Sequence, residues 1–196
     1  MRILGLDAST SAIGIAIIEY DDLFNCKLLY ADYYTPDKSI DIIDMLLKAR
    51  IYISNIAKQY KIDEFVIEDY IRFMKGSSSA ATVIPLAILN MTLRLMIIDI
   101  FNIKPESLNV LKIRHALKLT KELPKKEDIP NLVAKHLKIE YPWLYKVNKR
   151  TKKPVLRKVT KEPVIQTESY DIADAIAVAL AFIKLKESPK KSRSKK

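Results

Sequence analysis

Apolar positions come first in short unbroken runs and later at helical spacing. Residues 2–8 contain Ile3-Leu4-Gly5-Leu6, closed by Asp7. A run that short and that apolar predicts a strand buried on both faces. Ser9-Thr10-Ser11 reads as a turn and Gly14–Glu19 as a second strand. So short a connection implies a hairpin, with Gly14 permitting a close backbone approach or a bulge. A third strand over 27–35 stops at Thr35-Pro36-Asp37. Between Ser39 and Tyr60, Ile42, Ile43, Leu46, Leu47, Ile51, Ile53 and Ile56 recur at helical spacing. Residues 64–69 predict a fourth strand, 71–78 a loop, and 79–101 a long apolar helix in which Pro85 is tolerated only in the first turn or as a kink. A short fifth strand at 107–111 precedes helical pieces at 112–119 and 126–138, and a last helix covers 169–186. Three antiparallel strands followed by alternating helices and strands predict an α/β fold with a mixed five-stranded sheet and helices on both faces. Strands one, four and five are expected as central neighbours.

The chain of 196 residues suits one domain, expected over 1–186, with a disordered basic tail at 187–196. The stretch Val83–Phe101 is apolar enough to raise a membrane span, but Asn90, Arg94 and Asp99 interrupt it and favour a buried helix. The N-terminus enters a strand at once, so a cytoplasmic, unsecreted protein is expected. Cys26 is the one cysteine, which rules out an internal disulfide and reads as a structural thiol. His115 and His136 lack a partner at zinc spacing. Net charge changes the picture more. At +11 the chain is unusually basic for its size, and nucleic acid is the commonest partner of such a balance. Eight of the basic groups fall in the acid-free stretch Lys146 to Lys161, where the pattern suggests a basic hairpin within 142–167.

Four acids stand against that background. Asp7 and Glu68 each close an apolar run, and Asp171 and Asp174 open the last helix. A carboxylate at the end of a buried strand is costly unless a cation or donor offsets it. Asp171 and Asp174 share one helix face by their spacing. Acids of this kind inside a basic chain point to a metal site acting on a polyanion. Phosphodiester hydrolysis needs an activated water, a stabilised leaving oxygen and charge neutralisation, which two metal ions can supply. Mg²⁺ takes hard oxygen ligands, so a few carboxylates suffice. Asp7 would bridge both ions, Glu68 would complete one site, and Asp171 with Asp174 the other.

The motif Ile3-Leu4-Gly5-Leu6-Asp7-Ala8-Ser9 with Gly14 resembles the first motif of the RNase H-like (retroviral integrase-like) superfamily. Val66-Ile67-Glu68 with an aromatic-containing loop, then Asp171-Ile172-Ala173-Asp174-Ala175, narrows the resemblance to RuvC-type Holliday junction resolvases. It covers roughly residues 1–138 and 168–183. It implies an RNase H-like fold and a homodimer that makes paired nicks across a four-way DNA junction with Mg²⁺ or Mn²⁺. Asp7, Glu68, Asp171 and Asp174 correspond to the acidic tetrad. Phe73 corresponds to a loop aromatic that stacks on an unpaired base, with Arg72 and Lys75 beside it. Lys112, Lys125 and Lys126 fall in a basic stretch that resembles the family's and become phosphate contacts. The insertion at 142–167 is not part of the pattern; its Lys149, Arg150, Lys152 and Lys153 are expected to bind phosphate rather than read bases.

Three other readings remain open on sequence. The same metal chemistry serves a nuclease for flaps, forks or RNA–DNA hybrids. Residues 1–11 also resemble the opening of the actin-like ATPase superfamily, including a noncatalytic partner subunit of the tRNA threonylcarbamoyl-adenosine machinery. That reading needs neither Glu68 nor the Asp171/Asp174 pair. A purely architectural DNA-binding protein would use the hairpin and tail but leaves the four acids unexplained.

Overall fold

The computed structural model describes residues 1–9, 11–22, 25–35, 41–69, 80–141, 143–148, 150–156 and 163–187. Strands β1 (Arg2–Ala8), β2 (Ile13–Tyr20), β3 (Cys26–Tyr34), β4 (Glu64–Glu68) and β5 (Glu106–Leu108) form one sheet in the order β3-β2-β1-β4-β5. The first three run antiparallel; β4 lies parallel to β1 and β5 parallel to β4. The expected mixed five-stranded sheet is present. β5, however, is an edge strand of three residues and not a central one. The hairpin partner β2 pairs along all of β1 and takes the central place instead.

Helices α1 (Ile42–Tyr60) and α2 (Ala80–Phe101) are the crossovers that parallel pairing demands. α1 begins at 42 rather than 39 because the Asp41 carboxylate accepts from the backbone N–H of Ile43 and Asp44 at 2.8 and 3.1 Å. Pro85 stands in the second turn of α2. α3 (Val110–Leu117) starts two residues early, capped by Asn109 Oδ1 on Lys112 N–H at 2.9 Å. A 3-10 turn over Lys126–Asp128 leads into α4 (Ile129–Leu137), and α5 (Glu168–Glu187) ends the described chain.

The period-2 alternation of the strands sorts the core into two layers. Ile3, Ala16, Ile18 and Val66 face α3, α4 and α5. Leu4, Leu6, Ile13, Ile15, Ile17, Phe65 and Ile67 face α1 and α2. All of these are buried, and each fully buried Ile or Leu stabilises the fold by roughly 1.5–3 kcal/mol. α5 lies directly on the sheet. A Cβ on Gly5 would stand 2.5 Å from the Ala175 carbonyl oxygen, and one on Gly14 only 2.0 Å from that of Asp171. Ala173, Ala175, Ala177, Ala179 and Ala181 are buried along the same helix.

The insertion is more than the expected two-stranded hairpin. Val147 bridges Pro154 across a turn, and a third segment returns so that Leu156 bridges Pro163 and Tyr145 bridges Ile165. A two-stranded hairpin alone is marginally stable in water, and the returning segment gives each piece a second neighbour.

Candidate metal-dependent nuclease site

The alternation that buries Ile3 and Gly5 against α5 also turns Asp7 toward that helix, and on β4 Val66 and Glu68 share the same face. Leu6 pairs with Ile67, so the two strand-end acids emerge side by side. Gly14 is the register partner of Asp7 and is also where the Asp171 backbone rests on the sheet. One glycine therefore sets the first turn of α5 against the end of β1. That turn is anchored from behind. Ser169 is fully buried, its Oγ accepts from Leu144 N–H at 2.9 Å, and the Tyr141 hydroxyl donates to its carbonyl. Asp171 and Asp174 follow with side chains 16% and 18% exposed, which brings all four acids to one end of the sheet.

These carboxylates feel one another. Burial first, and then the charges of Glu68, Asp174 and Asp171, push Asp7 well above the usual carboxylate range. Burial, followed by Asp174, raises Glu68 to about 7. Asp171 and Asp174 are raised by burial as well, against the pull of Lys126. Lys126 supplies positive charge from the 3-10 turn, its Nζ 3.3 Å from Asp174 Oδ2 and 4.0 Å from Asp171 Oδ1. Burial works against the Lys126 charge, but Asp174, Asp7 and Asp171 outweigh it and its proton is held more tightly than usual. Arg114 on α3 lowers Glu68 and Asp174 from further away.

Among the described residues, no three Asp, Glu, His or Cys side chains are drawn together tightly enough to hold an ion as they stand. The donor chemistry nonetheless fits a hard divalent cation: four carboxylates, partly buried, with no imidazole or thiolate among the groups that perturb them.

By sequence, no protein-family model and no curated protein matches the chain. By structure, the chain is similar to RuvC of Thermus thermophilus in complex with a Holliday junction substrate, with a TM-score of 0.67 at 11% identity over 95% of this chain and 94% of that one. A second Thermus thermophilus RuvC structure gives 0.65 at 14% identity, covering 95% of each chain. The chain has the fold of the RuvC-type resolvases. The yeast mitochondrial Holliday junction resolvase Ydc2 shares it, with a TM-score of 0.59 at 12% identity over 93% of this chain and 77% of that one. The RuvC-type fold thus accounts for nearly the whole length, helices included.

The other residues expected at the site are scattered over this RuvC-type fold. Lys126 joins the acids. Lys125 is exposed beside it, its backbone N–H tied to Asp128 Oδ2 at 2.9 Å. Lys112 does not join them: it lines a groove with His115, Lys184 and Leu185, toward the far end of α5. Arg150, Lys152 and Lys153 are exposed at the hairpin turn, where Asn148 Oδ1 accepts from Arg150 N–H at 2.9 Å and Lys152 adopts a positive φ of 57°. Arg72, Phe73, Lys75 and Lys149, like the tail from 188, lie outside the described residues. Cys26 is half-buried and its thiol is pushed up to about 11, chiefly by burial. His136 Nε2 donates to the Leu117 carbonyl at 2.9 Å. Arg114 was missed by sequence reasoning, since nothing in the pattern separates it from the other basic residues. Asn90 was noted only as an interruption of an apolar stretch, yet its amide donates to the Glu68 carbonyl at 2.8 Å.

Proposed function

We propose that the protein is a divalent-metal-dependent endonuclease that resolves four-way DNA junctions by paired nicks, working as a homodimer. The observation that carries this reading is the meeting of Asp7, Glu68, Asp171 and Asp174 at one sheet end, in a chain of net charge +11. Bound Mg²⁺ or Mn²⁺, two ions in this reading, would activate the attacking water and offset charge on the leaving oxygen. Asp7 sits among the other three acids, Glu68 serves the β4 side, and Asp171 with Asp174 serve the α5 side. Lys126, half-exposed, is placed to turn from Asp174 toward a phosphate oxygen. Arg150, Lys152 and Lys153 project from the insertion as phosphate contacts, and such contacts fix register on DNA without reading bases.

The homodimer has structural support on the opposite side of the sheet. Ile43, Leu47 and Ile51 on α1 and Met91, Leu95 and Ile98 on α2 are exposed large apolar side chains. Monomers rarely expose so much contiguous apolar surface, and a second copy of the same face would cover it.

The test is incubation of the protein with a synthetic four-way junction and with matched duplex, in Mg²⁺ and in EDTA. Symmetric nicks near the branch point, in Mg²⁺ only, with duplex left whole, support the reading. Faster cutting of flaps, forks or RNA–DNA hybrids moves the substrate to that class. Cleavage that persists in EDTA sinks the metal mechanism.

A further inference from the structure

Among the described side chains of α2, Asn90 is the one strongly polar group that is fully buried, at 1% exposure. Its Nδ2 donates to the backbone carbonyl of Glu68 at 2.8 Å, while its Oδ1 is buried with no hydrogen-bond partner. Packing alone does not explain an amide here, because a leucine would fill similar space without a stranded oxygen. The location does. The ladder between β1 and β4 stops at the pair Leu6–Ile67, one residue short of Glu68. On the other side Asp69 N–H is spent on the Leu108 carbonyl at 2.8 Å. The Glu68 peptide thus lies just past the point where β1 ceases to hold the strand, and α2 reaches in to hold it.

We propose that Asn90 is a positioning residue for Glu68: its amide fixes the last peptide of β4, and so the direction in which the Glu68 carboxylate leaves the sheet toward Asp7, Asp171 and Asp174. The acid projects to the α5 face and the clamp grips from the α2 face, so the two do not compete for space. The proposal rests on the reading of those four acids as a metal site. A fixed carboxylate matters there because ligands that must rearrange bind an ion more weakly, and outer partners of metal ligands are worth about 10–100-fold in affinity or activity.

The test compares the wild-type protein with Asn90→Leu, which keeps size and removes the donor, and with Leu93→Ala, which opens the same buried helix face without removing a hydrogen bond to β4. Three quantities are read: thermal midpoint, Mn²⁺ affinity by titration calorimetry, and single-turnover cleavage of a four-way junction. Asn90→Leu removes the stranded oxygen but leaves the Glu68 carbonyl without its donor, so its thermal midpoint should move little, yet Mn²⁺ binding should weaken on the order of tenfold and cleavage slow by a similar factor. Leu93→Ala should lose thermal stability while its Mn²⁺ affinity stays at the wild-type value. If Asn90→Leu does not fold, Asn90→Ala, which adds no bulk, is read in the same way. Wild-type Mn²⁺ affinity in a folded Asn90 variant overturns the proposal. A wild-type protein that binds Mn²⁺ but cuts no DNA overturns the nuclease reading alone, and a wild-type protein that binds no Mn²⁺ overturns both.

Discussion

The two faces of the sheet are built on opposite plans. On one, α5 meets β1 and β2 through glycines and alanines, so closely that backbone rests on backbone at Gly5 and Gly14. On the other, α1 and α2 pack large aliphatic side chains inward and leave Ile51, Leu95 and Ile43 more than 60% exposed outward. Small residues leave no slack, and the tight face is where the four acids meet. Large residues on an open face leave surface to cover, and that face carries none of the four acids. Close packing is concentrated where carboxylates must be held against their mutual repulsion, and exposed apolar surface lies on the face away from them.

Gly14→Ala should break the tight face most severely. The added Cβ would meet a backbone oxygen, which cannot swing aside as a side chain can. Destabilisation of roughly 3 kcal/mol or more is expected, at the upper end of overpacking effects. Urea denaturation checks it, and a midpoint close to that of the wild type would mean that α5 does not sit where the site requires.

The acids themselves should set a pH dependence of comparable size. Glu68 rises from an ordinary 4.5 to about 7 in the folded protein. Between those values the unfolded chain has released this proton while the folded chain keeps it, so metal-free stability should fall as pH rises through that window. For this group the fall is at most about 1.4 kcal/mol per pH unit. Asp7, Asp171 and Asp174 are raised in the same direction and add to it. Denaturant midpoints from pH 4.5 to 7 should show a slope that Glu68→Gln reduces and saturating Mg²⁺ abolishes; identical slopes in all three conditions would contradict the shared-charge picture.

On the open face the expected effect on folding is smallest. Leu95 is 62% exposed, so Leu95→Glu should change monomer stability by no more than about 0.5 kcal/mol. It should nevertheless convert a dimer to a 22.5 kDa monomer in light scattering. A wild-type protein that is already monomeric would leave this face without its proposed partner copy.

The same contrast explains what could be read from sequence. β1, β4 and α5 were legible because an apolar run ending in an acid, and an Ala-rich run opening with two, leave few alternatives. The close seat of α5 was half legible, since Gly14 announced a close approach without naming what approaches. β5 was misplaced because three residues carry too little periodicity to rank a strand within a sheet. Helix starts shifted with the caps Asp41 and Asn109, whose roles depend on local backbone geometry. Arg114 and Asn90 stayed hidden for a different reason. Their importance lies in what they face across the fold, and a single basic or amide residue in a helix does not declare its neighbour.

In the proposed function, four carboxylates at the seam of β1, β4 and α5 act together on a phosphodiester. Single-turnover cleavage of a four-way junction by wild-type protein and by Asp7→Asn, both at saturating Mg²⁺, tests it most directly. The amide keeps the shape of the side chain and removes its charge. The variant should fold, should bind the junction as the wild type does, and should cut more slowly by on the order of a hundredfold or more. Cleavage by Asp7→Asn at a rate near that of the wild type would contradict the account.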